Sequence, residues 1–140
     1  MSKTIIITGA AKGIGRAIAK DFAYSGYNVC VNYNTSEKEA KELCDELAKA
    51  GCSVIIYKAD ITKRDEVDKM VDYVIGTFGN IDVLVNNAGI SEYKLFVDIS
   101  QQELERMLNV NILGTFNMTQ SVLKKSMLPR KDGTIINISS

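Results

Sequence analysis

Five short apolar runs alternate with amphipathic helical segments along this chain of 140 residues. The runs suit strands that are buried on both faces, and each helical segment is long enough to cross over a sheet. The alternation therefore predicts an α/β domain built on a doubly wound parallel sheet. Right-handed crossovers and a ligand crevice at the carboxyl edge favour the strand order 3-2-1-4-5, with the switch between strands one and four. The predicted strands are residues 4–7, 27–32, 53–57, 81–85 and 133–138.

Two sequence signals mark where helices begin. Ser36 and Glu39, like Ser100 and Glu103, have the spacing of a capping box, in which serine and glutamate side chains bond the free N–H groups of a helix start. We expect a helix from each serine. The second helical region is long and is predicted to end at Pro129, since proline cannot donate a backbone hydrogen bond.

The first apolar run leads directly into a glycine-rich turn at residues 9–15, Gly-Ala-Ala-Lys-Gly-Ile-Gly, and then into a helical pattern. Such a turn aims the free N–H groups and the positive dipole end of the helix at one spot, where a pyrophosphate is the natural occupant. The spacing differs from the usual dinucleotide fingerprint Gly-x-Gly-x-x-Gly, and no Gly-Lys-Ser/Thr of a Walker-type loop follows. Tight packing of strand on helix is the alternative role for these glycines.

Polar residues follow two other predicted strands. Asp60 comes after strand three, and Asn86–Gly89 come after strand four. Because the carboxyl ends of parallel strands meet at one edge, these residues and the glycine turn should converge on one crevice. Turn chemistry is the alternative: Asp60 could cap the turn before Thr62, and for Asn86 the structural role is favoured.

Composition excludes several other functions. Seventeen basic and seventeen acidic side chains leave no net charge to favour nucleic acid or an anionic membrane. No run reaches membrane-spanning length and no secretory leader opens the chain, so we expect a cytoplasmic protein. The chain has no His, and Cys30, Cys44 and Cys52 lack a Cys-x-x-Cys spacing, so no metal site is predicted and the thiols are interpreted as reduced packing residues.

Together these motifs resemble the short-chain dehydrogenase/reductases. They are Thr8-Gly-x-x-x-Gly-x-Gly15, Asp60, Asn86-Asn-Ala-Gly89, Asn111 and Ile136-Asn-Ile-Ser-Ser140. The strings around the first and fourth strands look most like 3-oxoacyl-acyl-carrier-protein reductases. The resemblance implies a Rossmann-like dinucleotide-binding domain over residues 1–140. It also implies an oxidoreductase that reduces a carbonyl, such as a small-molecule or carrier-bound 3-oxoacyl group, to an alcohol.

The resemblance also implies residue roles. Gly9, Gly13 and Gly15 would contact the pyrophosphate, with Ile14 beside it. Asp60 and Ile61 would lie near the adenine, and Asn87, Ala88 and Gly89 against the ribose and the floor of the site. Asn111 would be the active-site Asn that disturbs its helix and holds a water, although a mid-helix Asn is otherwise usually a solvated surface residue. Ser140, rather than Ser139, would be the catalytic serine that bonds the substrate oxygen.

The end of strand two predicts that NADP(H) is favoured over NAD(H). A site that prefers NAD usually carries an acid there, which binds the ribose 2′-hydroxyl and would repel a 2′-phosphate. Here Asn34, Thr35 and Ser36 precede the first acid, Glu37. Lys12 of the glycine turn can reach the same place; its alternative role is that of a solvated lysine at a helix start.

The chain departs from the family at its acid/base residue, a Tyr with a Lys four residues later. None of the six tyrosines has that Lys. The chain therefore resembles the N-terminal part of such an enzyme and should bind nucleotide weakly and catalyse no turnover. A non-catalytic dinucleotide-binding module is the alternative. We expect a homo-oligomer, because family members pair through the long helix near residues 111–127 and strand five has an unpaired edge.

Overall fold

A computed structural model describes residues 2–139 and shows one five-stranded, fully parallel sheet in the order β3-β2-β1-β4-β5. This is the predicted order, with the switch between β1 and β4. The strands are β1 (Thr4–Ile7), β2 (Asn28–Tyr33), β3 (Val54–Lys58), β4 (Val83–Asn86) and β5 (Thr134–Asn137). The helices are α1 (Gly13–Tyr24), α2 (Glu37–Lys49), α3 (Arg64–Phe78), α4 (Gln101–Leu108), α5 (Gly114–Val122) and α6 (Leu128–Arg130), with a 3-10 turn at Phe96–Asp98.

The central strands are buried on both faces, as their continuous apolar runs require. Alternate β1 residues face opposite sides: Ile6 packs against α3 and α5, whereas Ile5 and Ile7 pack against α1 and α2. All three side chains are fully buried. The sheet with helices on both faces is a Rossmann-like fold, and β5 is its exposed edge.

The predicted start of strand four and the first predicted capping box are wrong for local reasons. Strand four begins at Val83 rather than at residue 81, because the N–H of Ile81 donates to the Ser126 hydroxyl (2.9 Å) instead of to a strand. Ser36 does precede α2, but its side chain makes no capping bond; its ψ of 56° departs from the extended backbone that lets a cap side chain reach back over the helix. Ser100, with ψ 158°, forms the predicted capping box with Glu103.

The long helical region is interrupted twice. Two π-helical segments, Asn109–Leu113 and Leu123–Met127, separate α4 from α5 and α5 from α6. Pro129 lies inside the last helical turn, which ends one residue later than predicted, at Arg130. No helix within residues 2–139 is long and apolar enough to cross a membrane.

Candidate functional site

A cavity of about 710 Å³ opens at the carboxyl edge of the sheet, beside the switch between β1 and β4. All but two of the predicted binding residues line it: Gly9, Lys12, Gly13, Asn34, Thr35, Ser36, Asp60, Ile61, Asn87, Ala88 and Gly89. Ile14, Gly15 and Asn111 are not on its wall, although their chain neighbours Gly13 and Val110 are. Ser140 lies outside the described residues.

The glycine turn leaves backbone donors free at the cavity. Gly9 and Gly13 have φ of 59° and 61°, which glycine adopts without strain. The first backbone bond of α1 runs from the Arg16 N–H to the Lys12 carbonyl (3.3 Å), so the preceding helical N–H groups have no helical acceptor. An added Cβ at Gly13 would meet nothing within 4 Å. This open, donor-rich helix start fits the pyrophosphate of a dinucleotide.

The turn is locked against the loop that follows β4. The Thr8 hydroxyl accepts from the N–H groups of Asn87 (3.0 Å) and Ala88 (2.9 Å). The Asn87 side-chain amide donates back to the carbonyls of Thr8 and Gly9, both at 3.1 Å. The two motifs are therefore one hydrogen-bonded unit, although 79 residues separate Thr8 from Asn87.

Two glycines of the turn serve close packing, the alternative role named above. A Cβ on Gly9 would lie 2.9 Å from the Ala88 Cα, and one on Gly15 would lie 2.5 Å from the Asn87 Nδ2. Gly15 is buried under that amide. The structure thus places Gly15 as a packing residue that supports the predicted phosphate site from behind.

The loop after β3 is fixed from both sides. One oxygen of Asp60 accepts from the Thr62 N–H (3.0 Å) and hydroxyl (2.7 Å), which is the turn-capping role. Ile61 is buried against Gly114, where a Cβ would come within 2.5 Å of the Ile61 Cδ1. The Asn117 amide donates to the Ile61 carbonyl (2.9 Å). Asp60 therefore caps its turn while also lining the cavity.

Asn111 lies in the first π-helical segment, so the helix is disturbed where the resemblance implies. Its side chain accepts from the Ile90 N–H (2.8 Å) and donates to the Ile90 carbonyl (2.9 Å). A Cβ on Gly89 would lie 3.1 Å from the Asn111 Oδ1. Asn111 thereby ties the loop after β4 to the helix; its water-holding role stays a prediction.

The cavity wall at the end of β2 carries no carboxylate. Lys12 is exposed there and forms no ion pair within the described residues. Glu37, the first acid in the chain after β2, pairs with Lys41 (3.6 Å) and is not part of the wall. Tyr33, the last residue of β2, packs against Ala11 and Ala40. Burial raises the pKa of the Tyr33 hydroxyl, and the nearby charge of Glu37 raises it further.

Sequence reasoning missed three residues around the cavity. Arg16 donates to the carbonyls of Ala11 and Glu39, both at 3.0 Å, and so joins the turn to α2. Arg106 lines the cavity from α4. Asn32 is buried in the wall and bonds Gly9 of the glycine turn and Ala59 of the loop after β3. A polar residue inside the apolar run of strand two was the available signal for Asn32.

Asn86 has the structural role that was favoured. Its amide donates to the Thr119 hydroxyl (3.0 Å) and to the Asn137 side chain (2.9 Å), so it joins β4 to α5 and β5. Cys30, Cys44 and Cys52 are free thiols. Within residues 2–139, no group of three His, Cys, Asp or Glu could hold a metal ion.

The fold is a doubly wound, Rossmann-like α/β domain with a cavity at the switch point of its sheet. A family model described as short chain dehydrogenase matches residues 3–140, and the chain belongs to that family. It is 41% identical to a 3-oxoacyl-[acyl-carrier-protein] reductase of Staphylococcus epidermidis, over all of this chain and 57% of the relative.

Two solved structures share the fold closely. An actinorhodin polyketide ketoreductase with NADPH is 32% identical with a TM-score of 0.94, over 99% of this chain and 53% of that one. ElxO with NADP bound is 36% identical with a TM-score of 0.88, and the match covers 100% of this chain and 56% of ElxO. The chain thus spans just over half the length of these proteins, in agreement with the resemblance to the N-terminal part of such an enzyme.

Proposed function

We propose that the protein is the cofactor-binding part of an NADP(H)-dependent oxidoreductase that reduces a carbonyl to an alcohol. The carbonyl would belong to a 3-oxoacyl thioester on an acyl carrier, the substrate class of the curated relative. The observation that supports this most is the donor-rich glycine turn beside a dinucleotide-sized cavity. A bound nicotinamide dinucleotide would supply the hydride.

The residues of this chain would bind and orient. The N–H groups at the start of α1 would hold the pyrophosphate, and the loop 87–89 would fix the adjoining ribose. Asn111 would hold a water near the reaction, and Ser140 would bond the substrate oxygen. The proton would come from a Tyr-x-x-x-Lys pair, which this chain does not contain.

Charge at the end of β2 supports a preference for NADP(H). A 2′-phosphate there would meet Lys12 and the polar side chains of Asn34, Thr35 and Ser36, with no acid on that wall. The two solved neighbours described above carry NADPH and NADP. Because an opposite charge favours the phosphate dianion, removal of Lys12 should weaken NADP(H) selectively.

The test compares NADPH and NADH affinities of the protein and of Lys12→Glu by cofactor fluorescence. We expect tighter NADPH binding, a roughly tenfold or greater loss in Lys12→Glu, and little change for NADH. Lys49→Glu, a charge reversal at the end of α2, is the matched control and should leave both affinities unchanged. Tighter NADH binding by the unmodified protein would overturn the preference.

The second candidate is a module that binds dinucleotide without catalysis. General acid catalysis contributes about a hundred- to ten-thousandfold, so this chain should consume NADPH with a 3-oxoacyl thioester no faster than the background. NADPH consumption is measured for the protein and for the Ser140→Ala variant. Ordinary enzymatic turnover that this variant abolishes would show that residues 1–140 contain an acid not identified above.

A further inference from the structure

We infer that Asn32 is a positioning residue that sets the geometry of the pyrophosphate turn and of the adenine loop together. The inference rests on the proposed dinucleotide binding. Asn32 is 2% exposed and stands at the carboxyl end of β2, between the two strands from which these loops leave. A buried amide is costly unless its polar groups are hydrogen-bonded, so the partners of Asn32 matter.

Toward β1, Asn32 supplies hydrogen bonds where the regular pairing of β1 with β2 stops and the glycine turn leaves the sheet. Pairing of β1 with β2 ends at Ile7 and Val31, one residue earlier. Beyond that pair, the Asn32 Oδ1 accepts from the Gly9 N–H (3.2 Å), and its main-chain carbonyl accepts from the Ala10 N–H (2.9 Å). These two bonds fix the direction in which the glycine turn departs.

Toward β3, the same side chain holds the start of the other loop. Its Nδ2 donates to the carbonyls of Tyr57 (3.4 Å) and Ala59 (3.2 Å), and Ala59 immediately precedes Asp60. One rigid amide therefore connects Gly9 to Ala59 across β2. Since binding groups must be held to within fractions of an ångström, loss of this connection should loosen both halves of the cavity at once.

This arrangement distinguishes Asn32 from Lys12. Lys12 would act on the 2′-phosphate alone, so its loss should affect NADPH and spare NADH. Asn32 acts on parts of the site that both dinucleotides would use. Asn32→Ala should therefore weaken NADPH and NADH by the same factor, about tenfold or more, as loss of supporting residues does at other preorganised sites.

The matched control is Asn28, at the opposite end of β2. Its amide also bonds β1, through the Thr4 hydroxyl (3.3 Å), but it lies far from the cavity. The experiment measures NADPH and NADH affinity of wild type, Asn32→Ala, Asn32→Ser and Asn28→Ala at a temperature where circular dichroism shows each to be folded. Asn28→Ala should lose stability without losing affinity, whereas Asn32→Ala should lose affinity while folded.

Unchanged affinity in a folded Asn32→Ala or Asn32→Ser overturns the positioning role and leaves dinucleotide binding intact. Absence of binding by wild type overturns the proposed function and this inference with it. If neither Asn32 variant folds, amide hydrogen exchange of wild type is measured: protection of the Gly9 N–H supports the connection, and free exchange overturns it.

Discussion

Gly13 and Gly15 belong to the same turn but resist substitution for different reasons. Gly13 has φ of 61° with open space around it, so Gly13→Ala should cost about 1–2 kcal/mol of backbone strain. A Cβ on Gly15 would also lie 2.8 Å from the Gly9 carbonyl oxygen, so Gly15→Ala should cost about 3 kcal/mol or more through overpacking. Urea unfolding of both variants measures the difference. A Gly15→Ala variant as stable as Gly13→Ala would contradict this packing.

Burial should make Cys30 inert. It raises the pKa of the Cys30 thiol to about 12, and only the thiolate attacks an alkylating reagent. Near pH 8, iodoacetamide should therefore leave Cys30 unmodified in the native protein while modifying the half-buried Cys52, as peptide mass spectrometry would show. In urea the two should react alike. Equal labelling without denaturant would show that β2 opens readily.

Residue types at strand ends made much of the candidate site predictable. Glycines and polar residues that directly follow apolar runs are visible in the sequence, and they predicted most of the cavity wall. The roles of Asn32 and Arg16 could not be predicted, because their partners are backbone atoms outside their own elements and no spacing in the sequence reveals such contacts. The roles of Asn111 and Ser140 remain predictions from resemblance.

At the scale of elements, the Asp82 side chain, just before β4, joins β1 to α6. Its carboxylate accepts from the Thr4 N–H of β1 (2.8 Å) and from Arg130 of α6 (2.8 Å). Burial alone would raise the pKa of Asp82, but these bonds and the Arg130 charge outweigh it and hold the pKa below its usual value. The stabilisation is therefore present above the unfolded pKa and is lost as pH falls through the folded one.

Asp82→Asn should destabilise the protein by roughly 1.5–3 kcal/mol at neutral pH, the range for a bond to a charged group. The difference from wild type should begin to shrink as the pH falls below the unfolded pKa, about 4, and should vanish only below the lower folded pKa of Asp82. Asp132→Asn is the control: Asp132 also approaches Arg130 (4.0 Å), but its side chain is 76% exposed and should contribute little. Denaturant unfolding across pH tests this, and equal costs for the two variants would contradict it.

Element types were more predictable than element details. Alternating apolar runs predicted all five strands, and right-handed crossovers with a ligand crevice at the carboxyl edge favoured their observed order. The positions of the π-helical segments could not be predicted from periodicity. Asn111 is held by Ile90, 21 residues away in sequence, and this tertiary contact coincides with the first segment. Ser36 and Ser100 share a motif, yet only the backbone angle of Ser100 permits the box.

At the scale of the whole molecule, the helices between β4 and β5 present an exposed apolar surface. Four exposed apolar residues recur every four positions along α4, the first π-helical segment and α5: Leu104, Leu108, Ile112 and Phe116. The turn Phe96–Asp98 adds the exposed side chains of Phe96 and Val97. The β5 edge is also largely exposed. Exposed apolar side chains and an open strand edge each favour association.

We therefore expect the protein to associate with itself at low micromolar concentration through this surface. Ile112 and Phe116 are 63% and 55% exposed, so Ile112→Glu combined with Phe116→Glu should fold normally and weaken association by desolvating two charges at the contact. Tyr24→Glu, at an equally exposed site on α1 (58%), is the control and should associate like wild type. Sedimentation velocity over a concentration series measures this. A wild-type protein that sediments as one monomer throughout the series would show that the apolar surface does not pair copies of this chain.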